Sequence, residues 1–182
     1  MFFKKKNYFL NLCLFMMMLG VCMGMNSNAW LMMWLSMEIT LMFFLPLLML
    51  NKSMSESFSC LKYFIFQCLG SIFFILGSFD LFFFNTFGLI LKLGVFPNHF
   101  WMLSVSKGLN WFNFFLFMSV QKILPLLFIC FSLKFIFFNF IILLFFNSLV
   151  GNLGSINQMM FSSILNYLNW TKSLNLYMMF KY

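Results

Sequence analysis

Glu38, Lys92 and Lys122 stand inside long apolar stretches, whereas most other lysines of the chain lie between such stretches. Only 8% of the 182 residues are charged: 11 lysines, no arginine and three acids. A charge at mid-bilayer costs roughly 2.5–3.5 kcal/mol on insertion scales. Side chains that bear this cost usually face a bundle interior or a water-filled path. The chemistry suggested is transfer of protons or ions, with these three residues as stations. Desolvation disfavours the charged form of a lysine and a nearby carboxylate favours it. A lysine that gains and loses a glutamate partner can therefore bind and release a proton, and such groups titrate as a set.

Helix breakers accompany each of them. Glu38 lies in Trp34-Leu35-Ser36-Met37-Glu38-Ile39-Thr40, with Pro46 further along the same apolar run. Lys92 lies in Leu91-Lys92-Leu93-Gly94-Val95-Phe96-Pro97-Asn98-His99. Pro97 has no N–H for the Leu93 carbonyl, and Gly94 loosens the same turn. A kinked or broken helix beside an ionisable group is the expected result, and transporters use such helices because freed backbone groups bind ions or water. His99 would share a face with Lys92 if the helix continued. Lys122 precedes Pro125, which frees the carbonyl of Gln121 in the same way. Lys172 follows Asn166, Tyr167, Asn169 and Thr171 in the last apolar segment. The competing roles are structural: a static ion pair at Glu38, lysines that snorkel to an interface, packing for His99, and an interfacial anchor for Lys172.

The elements that must position these residues are membrane helices. Hydrophobic residues make up 64% of the chain, with 32 Phe and 18 Met, and the mean hydropathy is +0.99. Seven spans of about 20 residues each nearly exhaust such a length, leaving no room for a soluble catalytic or nucleotide-binding domain. The expectation is an all-α polytopic membrane protein, a single transmembrane domain over 1–182. Its helices are placed at about 8–25, 29–50, 60–79, 86–104, 110–131, 135–151 and 157–179, from apolar runs bounded by polar or Gly/Asn-rich breaks. Asn51–Ser59 and Gly151–Gly154 are read as loops, and Asp80 as a loop residue.

The net charge of +8 reads as loop lysines that set topology, not as a nucleic-acid surface. Lys4, Lys5, Lys6, Lys52, Lys62 and Lys107 fall on one side and Lys134 and Lys181 on the other, which places the N-terminus on the matrix or cytoplasmic side. Lys4–Lys6 before an apolar run resemble a signal peptide, but no clean cleavage site follows, and a retained first helix is preferred. Cys13, Cys22, Cys60, Cys68 and Cys130 form no CxxC or Cys/His cluster and read as small core hydrophobes. Trp34 and Trp101 read as packing residues, while Tyr8, Trp30 and Trp111 mark helix starts. Abundant Phe, Lys, Asn, Leu and Met without arginine suggests an AT-rich, organelle-encoded gene.

At this point a resemblance emerges. Lys92-Leu93-Gly94, Pro97 and His99-Phe100-Trp101, then Gln121-Lys122 and Pro125, are similar to the chain-2 membrane subunits of mitochondrial NADH:ubiquinone oxidoreductase, respiratory complex I. Met37-Glu38 with Phe43 and Pro46 resembles their glutamate helix. Leu61-Lys62-Tyr63-Phe64 with Gln67, Leu69, Gly70 and Ser71 resembles the next helix. Gly151, Leu153, Gly154, Asn157-Gln158, then Ile164-Leu165 and Tyr167, resemble a later loop and helix. The resemblance runs in order over about residues 30–172.

The resemblance implies an antiporter-like subunit built from inverted five-helix repeats. This chain would hold the first repeat and about two helices of the second. It implies that Glu38 pairs with Lys92 of the broken helix and that Lys122 continues the path. Lys172 falls where the family often has histidine, and His99 lies in a matching motif. No cofactor is expected in this chain; NADH, FMN, iron–sulfur clusters and ubiquinone would be bound by other subunits. The implied partners are other membrane-arm subunits, lipids, and a second polypeptide supplying the C-terminal helices. The implied setting is the inner mitochondrial membrane. The alternatives are a scaffold that has lost pumping and a cation/proton antiporter subunit.

Overall fold

In a computed structural model of the chain, residues 2–50, 53–78, 82–132, 137–168 and 171 are described. Most of these residues are helical, with no strand among them. The elements are α1 (Phe2–Met25), α2 (Trp30–Met49), α3 (Met54–Leu76), α4 (Phe82–Leu93), α5 (Phe100–Ser106), α6 (Trp111–Met118), α7 (Val120–Ser132) and α8 (Phe137–Ile156). A further helical segment covers 161–168. Asn7–Met25, Trp30–Met49, Met54–Leu76 and Trp111–Ile129 are each long and apolar enough to cross a membrane, and Phe83–Leu93 is a shorter apolar helix. The protein is an all-α polytopic membrane protein.

The expected helices are present with corrected ends. α3 starts six residues before the anticipated 60, because Ser53 caps it: its hydroxyl accepts from the Glu56 amide at 3.3 Å. Ser53-Met54-Ser55-Glu56 has the spacing of a capping box, so polar residues read as loop are the first turn. Glu56 is buried there, its backbone carbonyl accepting from the Ser59 hydroxyl at 2.7 Å. α8 runs through Gly151–Gly154, where a loop is expected from the sequence. Gly154 serves close approach instead: a Cβ there would lie 2.5 Å from Tyr167 Cε1. The span anticipated at 86–104 is two helices, α4 and α5, and that at 110–131 is divided at Ser119 into α6 and α7. The last expected span is described only in part, and Lys172 and Asp80 lie outside the described residues.

The interior has two apolar clusters. One gathers Cys13, Met17, Phe44, Tyr63, Trp101 and Phe117 from α1, α2, α3, α5 and α6. Tyr63 meets Phe44 edge-on at 5.2 Å and Phe117 at 5.8 Å, while Phe66 stacks on Trp101 at 5.5 Å. The other gathers Val21, Met37, Phe74, Leu89, Leu93, Leu124 and Phe128. Large side chains such as Phe64, Ile72 and Phe115 point outward, as a lipid-facing surface requires. Cys13, Cys22, Cys60 and Cys68 are free thiols, the first and third buried. Lys62 and Lys107 are exposed, whereas Lys92 and Lys122 are buried.

Candidate proton-transfer site

The close approach of α3 and α4 positions Lys92. A Cβ on Gly88 would come within 2.7 Å of the Gly70 carbonyl oxygen, and a Cβ on Gly70 would stand 2.6 Å from Lys92 Cγ. Two glycines thus let the helix backbones meet and leave the lysine stem a channel across α3. Small residues at helix contacts permit this packing in membranes.

α4 ends at Leu93 in a Schellman motif. Val95 N–H donates to the Ile90 carbonyl at 3.2 Å and Gly94 N–H to the Leu91 carbonyl at 3.1 Å. Gly94 has φ +69°, the left-handed conformation that glycine adopts without a Cβ penalty. Gly94 therefore makes the break, and Pro97, expected from the sequence to break the helix together with Gly94, lies in the linker that follows it. The linker is held by Asn147 of α8, whose Oδ1 accepts from Phe96 N–H at 3.3 Å. His99 is the N-cap of α5. It does not continue the face of Lys92, as a continuous helix would require. It lies instead against Phe100, with ring centroids 4.1 Å apart, and 6.5 Å from the ring of Tyr167.

From this helix end Lys92 Nζ donates to Glu38 Oε1 at 3.4 Å. The lysine side chain is 2% exposed and the glutamate 20%. The two residues come from α4 and α2, so the pair joins two helices across the interior. The Lys92 carbonyl accepts from Gln67 Nε2 of α3 at 3.2 Å.

Lys122 sits in the first turn of α7, just after the interruption at Ser119, where φ is −102° and ψ −78°. The Ser119 hydroxyl donates to the Phe115 carbonyl at 2.7 Å. α7 passes through Pro125, so the interruption falls at Ser119 and not at the proline expected to cause it. Lys122 Nζ is buried and has no hydrogen-bond partner among the described residues. The structure thus brings Glu38 and Lys92 together and leaves Lys122 without a bond to either.

Three residues not counted as site residues connect the two lysines. Gln121, next to Lys122, donates from Nε2 to the Thr40 carbonyl of α2 at 3.2 Å. Tyr63 of α3 donates its hydroxyl to Gln121 Oε1 at 3.1 Å. Tyr63 and Gln67 lie one turn apart on α3, both buried, so one helix face touches the Lys92 carbonyl at one level and Gln121 at the next. The sequence signal was available: Tyr63, Gln67, Gly70 and Phe74 follow helical spacing, a polar and small-residue stripe in an otherwise apolar segment. Among the described residues no group of three or more His, Cys, Asp or Glu could hold a metal ion.

No family model matches the chain. Individual curated proteins do. The chain is 37% identical to NADH-ubiquinone oxidoreductase chain 2 of Anopheles gambiae, over 88% of its own length and 52% of that protein. It is 36% identical to the same chain of Artemia franciscana, over 87% of its length and 52% of the relative, and 29% identical to that of Lumbricus terrestris over equal shares. The chain is thus similar to NADH-ubiquinone oxidoreductase chain 2 over most of its own length. It spans about half the length of the curated relatives it matches. The similarity agrees with the motifs around Glu38, Lys92 and Lys122.

Proposed function

We propose that the chain is a membrane-arm subunit of respiratory complex I in the inner mitochondrial membrane, and that Glu38, Lys92 and Lys122 belong to a proton path coupled to electron transfer from NADH to ubiquinone. The observation that carries this reading is the Glu38–Lys92 pair at 3.4 Å beside the α4–α5 break. A buried ion pair between two apolar helices is costly. A path that alternately joins and separates the two groups gives that cost a use. Lys122 is the next station, and the Gln67–Tyr63–Gln121 frame fixes its register relative to Lys92. Lys172 and His99 extend the proposed path beyond these two lysines.

In this reading NADH, FMN, iron–sulfur clusters and ubiquinone are bound by other subunits. The partners are the neighbouring membrane-arm subunits and lipids, and the N-terminus faces the matrix. The rest of the chain-2 length, on this or another polypeptide, completes the path.

Glu38→Gln in the assembled complex, reconstituted in vesicles, tests the proposal through NADH-driven proton movement per electron. A fall in that ratio is expected. An unchanged ratio with unchanged coupled activity would leave the chain a scaffold. Purification without any redox subunit would instead make it part of a cation/proton antiporter.

A further inference from the structure

In a helix carried past Leu93, the N–H groups of Gly94, Val95 and Phe96 would bond the carbonyls of Ile90, Leu91 and Lys92 in turn. The Schellman turn reassigns the first two: Gly94 N–H goes to Leu91 and Val95 N–H to Ile90. The Lys92 carbonyl and the Phe96 N–H are then the two halves of one broken bond. Pro97, with no N–H, cannot replace the donor. Inside a membrane each such group must be satisfied within the protein.

Each half is taken by a side-chain amide from a different helix. Gln67 of α3 donates from Nε2 to the Lys92 carbonyl at 3.2 Å, and Asn147 of α8 accepts the Phe96 N–H on Oδ1 at 3.3 Å. The backbone group fixes which end of each amide must face it, since a carbonyl only accepts and an N–H only donates. Gln67 and Asn147 are 7% and 1% exposed, so neither is a solvated surface amide. Phe146, beside Asn147, stacks on Phe96 with ring centroids 6.2 Å apart, a second grip of α8 on the linker. In transporters the freed groups of a broken helix bind ions or water; this pair is already occupied.

We propose that Gln67 and Asn147 form a clamp that holds open the backbone bond between Lys92 and Phe96, and that both are positioning residues for Lys92. The clamp sets where α4 stops relative to α3 and α8, and thereby where the Lys92 ammonium meets Glu38. It gives α8 a hold on this lysine through the linker. The effect on proton transfer rests on the reading of Lys92 given above; the clamp itself does not.

The test compares Asn147→Leu, which removes the acceptor at similar shape, with Asn147→Asp, which keeps one. Both are made in the assembled complex, and a map and the protons moved per electron are read for each. Asn147→Leu should shift the backbone of residues 94–96, lengthen the Lys92–Glu38 contact beyond hydrogen-bond range and lower the ratio at equal amounts of assembled complex. Asn147→Asp should keep all three near wild type. An unmoved backbone in the leucine variant would overturn the clamp, as would an aspartate variant no better than leucine. If Asn147→Leu does not assemble, Gln67→Leu tests the other half in the same way. A wild-type map with the Phe96 N–H bonded to the Lys92 carbonyl would also overturn the clamp. A moved backbone with an unchanged ratio would remove the positioning role if Glu38→Gln lowers that ratio, and would count against the proton path itself if Glu38→Gln does not.

Discussion

Gln67 donates its side-chain amide to the backbone carbonyl of Lys92, 3.2 Å away, while the ammonium of the same lysine reaches Glu38 on another helix. α3 therefore holds the main chain of Lys92, and α2 holds its side chain. The lysine is fixed at both ends.

Glu38→Gln and Lys92→Met should be strongly non-additive. Removing only the carboxylate leaves a buried ammonium without its partner, at a cost of about 3–5 kcal/mol. Replacing both groups removes the charges together and should recover much of that loss. Thermal unfolding of the two single variants and the double variant in detergent measures the coupling; simple additivity would show that the pair does not interact energetically.

Gly70→Ala should destabilise the α3–α4 contact by about 1–3 kcal/mol, the usual cost of overpacking. The added Cβ would sit 2.6 Å from Lys92 Cγ and 3.2 Å from the Gly88 carbonyl. In a Lys92→Ala background, where the first clash is gone and the second remains, Gly70→Ala should cost less than it does in the parent chain. Equal costs in the two backgrounds, read from melting temperatures, would mean that the lysine stem does not limit this contact.

Tyr63→Phe deletes one donor and leaves Gln121 Oε1 without it. A loss of about 1–3 kcal/mol is expected for a buried unsatisfied acceptor. In a Gln121→Leu background the same substitution should cost much less. Equal costs in both backgrounds would mean that the Tyr63–Gln121 bond contributes nothing.

Gly94→Ala should cost about 1–2 kcal/mol, because φ at this position is +69° and left-handed backbone is unfavourable with a Cβ. Gly94→Asn should be milder, since asparagine tolerates this region better, and Gly94→Val worse. Assembly level and melting temperature should follow the order Gly, Asn, Ala, Val. A flat series would mean that the Schellman turn is not needed for the break.

Much of this arrangement is legible in the residues. Charges amid apolar runs mark Glu38, Lys92 and Lys122, because the cost of burial makes such residues rare. The position of a break is harder to read. Prolines at 97 and 125 are conspicuous, yet α4 stops at Gly94 and the second interruption falls at Ser119. A glycine can end a helix through its own backbone hydrogen bonds, whereas Pro125, the sixth residue of α7, removes the N–H that would bond the Gln121 carbonyl while the helix continues past it. α3 starts early because Ser53 caps it, so Ser55, Glu56 and Ser59 are helical despite their polarity. Periodicity puts His99 on the face of Lys92 only if the helix continues, and α4 ends at Leu93.

Ending α4 at Leu93 also has an electrostatic result. Lys92 occupies the last turn of a 12-residue helix, where aligned peptide dipoles amount to roughly half a negative charge. The ammonium thus belongs to a residue at the negative pole of its own helix, in addition to facing the carboxylate of Glu38. Such a pole is worth about 0.3–1 kcal/mol at exposed sites and up to about 2 when partly buried. One of these attractions is on a side chain and can move away. The other is built into the backbone and cannot, so a cation released by Glu38 is never wholly without a counter-field.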